Sequence, residues 1–241
     1  MVKTLQSYLR KIWHHSAYLN NEILTSYVEP AKTASILDLG CDDGSIAVER
    51  FKNKINNPNI FGLDADLEKL KQARKRGIKA IKANVEKPFP FNSEAFDLVS
   101  ANQIIEHLAN ADRFLKEIYR VLRPGGYLVL ATENLSSWHN MCALLLGWQP
   151  FSQHISTVKN VGNPLRIARY ENYPIGGMHV RVFAPRGLKE IIELHQFTIE
   201  ESFGAGHYPF PSTISKALSY IDPTHAAFIG VKARKMTTKP A

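Results

Sequence analysis

The sequence predicts a doubly wound α/β fold on a mostly parallel sheet, and two observations carry that expectation. The first is residues 35–45. An apolar run with one carboxylate, Ile36-Leu37-Asp38-Leu39, breaks at Gly40 and passes through Cys41-Asp42-Asp43-Gly44 into helix-competent sequence. The second is the alternation that follows, in which short apolar runs are separated by segments striped at helical spacing. Strand, glycine turn and helix in that order is how an open α/β sheet builds a nucleotide site. The glycines let the backbone approach a ligand, and the helix N-terminus points free N–H groups at it.

The elements can be taken in order. Residues 1–30 read as two helices, one striped by Leu5, Tyr8, Leu9, Ile12 and Trp13, the other by Ile23, Leu24, Tyr27 and Val28. The first strand and helix follow, and residues 59–63 read as a second strand ending at Asp64. That acid stands near the spacing from Gly40 at which a carboxylate closes a βαβ unit and accepts both hydroxyls of a ribose. Asp66 caps the next helix, 67–76. A third short strand over 77–81 leads to Asn84 and Val85, and a fourth over 96–101 leads to Asn102-Gln103-Ile104-Ile105-Glu106-His107. In an open parallel sheet the carboxyl ends of the first and fourth strands flank the ligand crevice, so Ser100 to Ile104 should lie beside it. A helix striped by Leu115, Ile118, Tyr119 and Leu122 stops at Arg123-Pro124-Gly125-Gly126, and 127–131 is the fifth strand. A helix through Leu188, Ile191 and Ile192 and strands over 197–203 and 226–233 close the chain. Between them, residues 134–178 form an insertion. Its opening stripe (Trp138, Met141, Cys142, Leu145, Leu146) is expected to pack on the domain, and its Gly-, Pro-, Asn- and Tyr-rich loop to sit above the crevice as a lid.

The glycine turn narrows the ligand. A dinucleotide loop wants Gly-x-Gly-x-x-Gly, and its second and third glycine positions are here Asp42 and Ser45. Acids in that turn repel a pyrophosphate and tolerate a cationic ligand. The stretch resembles motif I of the class I S-adenosylmethionine-dependent methyltransferases, hydrophobic-Asp-hydrophobic-Gly-Cys-Gly-x-Gly, with Asp42 at the middle glycine. Phe96-Asp97-Leu98-Val99 with Glu106-His107-Leu108 resembles motif IV of the methyltransferase-11-like, ubiquinone-biosynthesis-type branch, and Leu122-Arg123-Pro124-Gly125-Gly126 is a further match. The resemblance implies one methyltransferase domain over 1–241, with residues 1–30 as a helical cap. It implies a seven-stranded Rossmann-like sheet with an antiparallel last strand. It also implies S-adenosyl-L-methionine as cofactor, leaving as S-adenosyl-L-homocysteine. On that reading Asp38, Gly40, Cys41, Asp42 and Gly44 meet the cofactor from the turn. Asp64 and Ala65 meet it at the ribose, Asn84 and Val85 at the adenine, and Ala101 and Asn102 beside the sulfonium.

The sulfonium brings its own activated methyl, so the protein has to align a nucleophile and, for some acceptors, remove a proton. His107, His139 and His179 are the base candidates. In quinone-biosynthesis O-methyltransferases a Glu-His pair like Glu106-His107 has been linked to a metal; the sequence offers no third nearby donor, and no metal is assigned. The net charge of +8 is expected to be a solvated face, because the Lys- and Arg-rich stretch 52–87 lacks interleaved aromatics. The expected acceptor is therefore a small molecule rather than nucleic acid, with an RNA or protein acceptor and a non-catalytic binding module as the alternatives. No run has the length of a membrane span, residues 1–20 lack a signal peptide's apolar segment, and the two cysteines form no disulfide framework. A cytoplasmic protein is expected, of unspecified oligomeric state.

Overall fold

A computed structural model describes residues 2–156, 158, 159, 161–165 and 178–236. One sheet of seven strands runs in the order β3-β2-β1-β4-β5-β7-β6. The strands are β1 (Ala31–Leu39), β2 (Ile55–Asp64), β3 (Lys79–Lys82), β4 (Phe96–Asn102), β5 (Leu122–Glu133), β6 (Phe197–Ala205) and β7 (Phe228–Lys235). The first five are mutually parallel, and β7 lies antiparallel between β5 and β6. The chain leaves β1 toward β2 on one side and places β4 on the other, so the strand order reverses between β1 and β4. That is where an open α/β sheet leaves a crevice at its carboxyl edge.

Alternation along the strands sorts the helices. Ile36, Leu98 and Val129 face a core shared with Leu24 and Val28, with Phe51 of α2 (Ser45–Lys52), and with Leu70 and Ala73 of α3 (Leu67–Lys75). Leu37, Val99 and Leu128 point the other way, against Phe114, Leu115 and Ile118 of α4 (Ala111–Val121). Leu188 and Ile192 of α6 (Pro185–Leu194) share that second core. Asp38 and Ser100, register partners on β1 and β4, therefore face the α2 side.

Three expectations change. Residues 2–26 form a single helix, α1 (Val2–Ser26), because nothing between the two apolar stripes breaks it; the side chains of Leu5 and Leu9 lie outside the described residues. β1 and β2 start well before their apolar runs, since Ala31 to Ser35 pair with Ile55 to Asn59 at an exposed edge that hydrophobicity does not mark. The stripe on α5 (Trp138–Leu145) packs only in part: Trp138 rests on His225 at 4.5 Å, but Leu145 is 85% exposed and Leu146 61%, while Asn140 and Ala143 are the buried residues of the helix. A helix without a sequence expectation, α7 (Ser212–Ile221), fills the segment before β7. Residues 157, 160 and 166–177 of the insertion lie outside the described residues.

Candidate functional site

The turn after β1 needs its glycines. Gly40 has φ +69°, and a Cβ there would stand 2.9 Å from Ile104 Cδ1; at Gly44, φ +77°, it would stand 2.4 Å from Ile78 Cδ1. Asp42 adopts φ +49°, a conformation aspartate tolerates better than most residues. The turn is pinned to the tip of β2, with the amides of Gly40 and Cys41 donating to the Leu63 carbonyl at 2.8 and 3.2 Å. Asp64 is held in the same junction: Oδ2 accepts from the Asp42 amide at 3.0 Å and Oδ1 from the Asp66 amide at 2.9 Å.

The acids of the turn do not form a bare negative wall. Asp42 pairs with Lys69 at 3.0 Å and Asp43 with Arg76 at 3.2 Å. Asp43 also accepts from the Ser45 hydroxyl and amide at the start of α2, which holds its carboxyl below the usual range. The Ala83 amide donates to the Asp64 carbonyl at 3.0 Å, which sets Asn84 beside that junction. Asn84 is exposed, and its amide oxygen accepts from the Glu86 amide at 2.8 Å, while Val85 packs half-buried on the core. Ala65 is exposed at the tip of β2, and Ala101 is fully buried in β4.

Asn102 is engaged by α1. Its Oδ1 accepts from Asn20 Nδ2 at 2.9 Å and its Nδ2 donates to Asn21 Oδ1 at 3.0 Å. The amide keeps one donor hydrogen and one lone pair beyond these two bonds. Asp38 is buried, which pushes its carboxyl up, and the Arg50 guanidinium opposes that shift. Arg50, Asn20 and Asn21 were not legible as site residues, since a lone arginine or an Asn pair on a helix reads as surface.

The histidines divide into two groups. His107 follows β4 in a short 3-10 turn, Ile105–His107, and its ring lies 4.8 Å from that of His179. The amides of Val180 and Arg181 donate to the Glu106 carbonyl and so carry His179 to this pair. Among the described residues, ligand atoms of Glu106, His107 and His179 all lie within 4.8 Å of one another. The structure thus supplies the third donor that the sequence did not reveal, because His179 is remote along the chain. His107 Nδ1 faces the Met178 carbonyl at 3.1 Å and His179 Nδ1 the Ser152 carbonyl at 2.7 Å. A carbonyl only accepts, so both Nδ1 atoms carry hydrogen and both neutral rings keep their lone pair on Nε2.

Burial lowers the pKa of both imidazoles and pushes Glu106 up to about 8. Thr132 donates to Glu106 Oε2 at 2.8 Å, whereas Oε1 is buried with no hydrogen-bond partner among the described residues. Two imidazole nitrogens and a buried carboxylate oxygen form a donor set that a divalent cation can use. His139 stands apart on α5, ringed by Phe151 at 5.7 Å and Tyr208 at 4.9 Å, and burial takes it down to about 4. His195 accounts for itself structurally, bonded to Asp112 at 2.9 Å.

Comparison with known proteins bears on the family and the fold. A family profile described as a methyltransferase domain matches residues 37–130. The chain is 24% identical over 191 residues to a mitochondrial ubiquinone biosynthesis O-methyltransferase of Rattus norvegicus, covering 76% of this chain and 49% of that protein. It is 28% identical over 145 residues to the ubiquinone biosynthesis O-methyltransferase of Rickettsia prowazekii, covering 57% of this chain and 56% of that one. It therefore spans about half the length of these curated relatives. Among solved structures, an S-adenosylmethionine-dependent methyltransferase of Thermotoga maritima superposes with a TM-score of 0.60 at 20% identity over 97% of both chains, which shows a shared fold.

Proposed function

We propose, from the premise that residues 37–130 of this chain are a class I S-adenosylmethionine-dependent methyltransferase domain, that the protein transfers a methyl group from S-adenosyl-L-methionine to a small-molecule acceptor. The observation that carries the proposal is the junction of Gly40, Asp42 and Asp64. A turn with glycine at both of its positive-φ ends, Gly40 and Gly44, is joined to a carboxylate at the tip of the neighbouring strand. Each Asp64 oxygen accepts one backbone amide and retains lone-pair capacity for one hydroxyl of a vicinal diol. Gly40 and Gly44 give the ligand its path along the backbone, and Asn84 and Val85 border the adenine position. Asp38 stands behind the turn on the α2 face of the sheet, and Ala101 is buried on the opposite face.

When bound, the sulfonium supplies an activated methyl group. The chain has to exclude water and hold a nucleophile in line with it, an alignment worth ~7–11 kcal/mol in favourable cases. His107 is the favoured base, because the Met178 carbonyl fixes its Nδ1–H and leaves Nε2 as acceptor. Such a base adds ~10²–10⁴-fold. His179 lies within the same group and supports His107, while His139, at about 4, is too weak a base for the role. The ubiquinone biosynthesis O-methyltransferases to which the chain is similar favour an oxygen nucleophile. The insertion over 134–178 then borders the acceptor, and residues 1–30 cap the cofactor. A cytoplasmic location belongs to the same reading; no helix among the described residues is long and apolar enough to cross a membrane.

The test is titration with S-adenosyl-L-homocysteine, followed by transfer of a labelled methyl group in a cell extract separated into small molecules, RNA and protein. Label in the small-molecule fraction supports the proposal. Label confined to RNA or protein moves the acceptor class, and binding without transfer supports a non-catalytic module.

A further inference from the structure

We propose that Arg50 is a positioning residue of the cofactor site: through Asn21 it seats α1 against the tip of β4, so that seating of α1 and occupancy of the adenosyl site depend on one another. The inference rests on the cofactor reading above and adds to it a residue that does not touch the ligand.

Arg50 sits on the inner face of α2, next to Phe51, and is 2% exposed. A helix that needs only to cover a sheet places apolar residues there, as α2 does with Ala47 and Phe51. Burying a guanidinium costs far more than burying either, so its presence calls for a purpose beyond packing. Its hydrogen bonds show where it acts. Nη1 donates to Ser100 Oγ at 2.8 Å, and Nη2 donates to Asn21 Oδ1 at 3.0 Å. Asn21 Oδ1 also accepts from Asn102 Nδ2, and Asn102 in turn accepts from Asn20. The guanidinium thus closes a chain through α2, β4 and α1. Ser100 is the register partner of Asp38, two residues before the Gly40 turn, and Asn102 ends β4 where Ile104 abuts Gly40. The strand tips to which α1 is stitched are therefore the ones that flank the turn. A ligand resting on that turn and α1 resting on Asn102 share a support, and removing either loosens the other. The Arg50 Nε is buried with no partner among the described residues, so the network is held for its geometry at the two terminal nitrogens rather than filled to saturation.

The test uses three variants of the full chain. Asn21→Ala removes the link in α1 without touching the buried charge, Arg50→Met removes the guanidinium, and Arg50→Lys keeps a charge with shorter reach. Each is titrated with S-adenosyl-L-homocysteine, and trypsin cleavage at the exposed Lys11 of α1 is timed with and without it. The expected result is that Asn21→Ala, with an unchanged far-ultraviolet spectrum, binds about tenfold more weakly, because both bonds to Asn21 Oδ1 are lost, the charge-assisted one from Arg50 and the one from Asn102. The ligand's protection of Lys11 is expected to disappear, and Arg50→Lys to recover part of what Arg50→Met loses. A merely structural role would speed cleavage equally in both states and leave the affinity alone. Wild-type affinity and wild-type protection in Asn21→Ala would overturn the proposal whether or not Arg50→Met folds. A wild-type chain that ignores the compound overturns the cofactor reading and this inference together; wild-type binding with unchanged variants overturns this inference only.

Discussion

Asp64 is oriented before any ligand arrives, because two backbone amides fix its carboxylate in the plane where a diol would meet it. Removing the carboxylate in Asp64→Ala should weaken S-adenosyl-L-homocysteine by one to two orders of magnitude, roughly 1.5–3 kcal/mol for a hydrogen bond to a charged group. An unchanged dissociation constant in calorimetry would reject the ribose role. Gly40→Val should abolish binding, since the new side chain meets Ile104 and the backbone there lies in the left-handed region; retained affinity would remove that account. Glu106 yields a pH prediction. Its folded pKa, about 8, lies above the unfolded value, so the native state binds the extra proton between them. Stability is therefore lost as pH rises from about 4.5 to about 8. Glu106→Gln, which keeps the shape without the charge, should raise the melting temperature more at pH 8 than at pH 5. Equal shifts at both pH values would contradict a buried, neutral carboxyl. The turn residues were legible in the sequence because their task depends on local spacing. The roles of Arg50, Asn102 and His179 were not, because each depends on a partner brought in by another element.

Elements whose apolar residues all serve one core were read correctly, and those with divided loyalties were not. α4 buries Phe114, Leu115 and Ile118 completely, as its stripe predicts, although β5 begins already at Leu122 and takes in the Arg123-Pro124-Gly125-Gly126 stop signal. α5 also carries an apolar stripe in the sequence, yet Trp138, Leu145 and Leu146 of that stripe are exposed. Periodicity tells which residues share a face, and it is silent on whether anything covers that face. The difference is measurable by chemical denaturation. Phe114→Ala should cost ~3–5 kcal/mol, while Leu145→Lys should change stability by less than ~0.5 kcal/mol. A large loss in Leu145→Lys would show that the stripe packs after all. α1 teaches a related lesson: two stripes without a breaker between them are one helix, and the polar residues Asn20 and Asn21 inside it are its point of attachment.

At the scale of the whole molecule, the reversal of strand order between β1 and β4 makes the crevice, and the tips of β1, β2 and β4 supply the groups that border it. Some of the basic residues are held in ion pairs within the fold, and the excess of eight positive charges rests on the others. Lys69 and Arg76 neutralise the turn, and Lys232 and Arg234 pair with Glu29 and Glu200 at the far end of the sheet. On the small-molecule reading, bulk RNA should bind only weakly and in a salt-sensitive way. A tight complex in a gel shift at physiological salt would favour a nucleic-acid acceptor instead. The central claim is that the bend after the first strand and the carboxylate beside it hold an adenosyl ligand. It is tested most directly by calorimetric titration of the folded chain with S-adenosyl-L-homocysteine. Saturable one-to-one binding that Gly40→Val abolishes is the predicted result, and no heat of binding at millimolar ligand would contradict it.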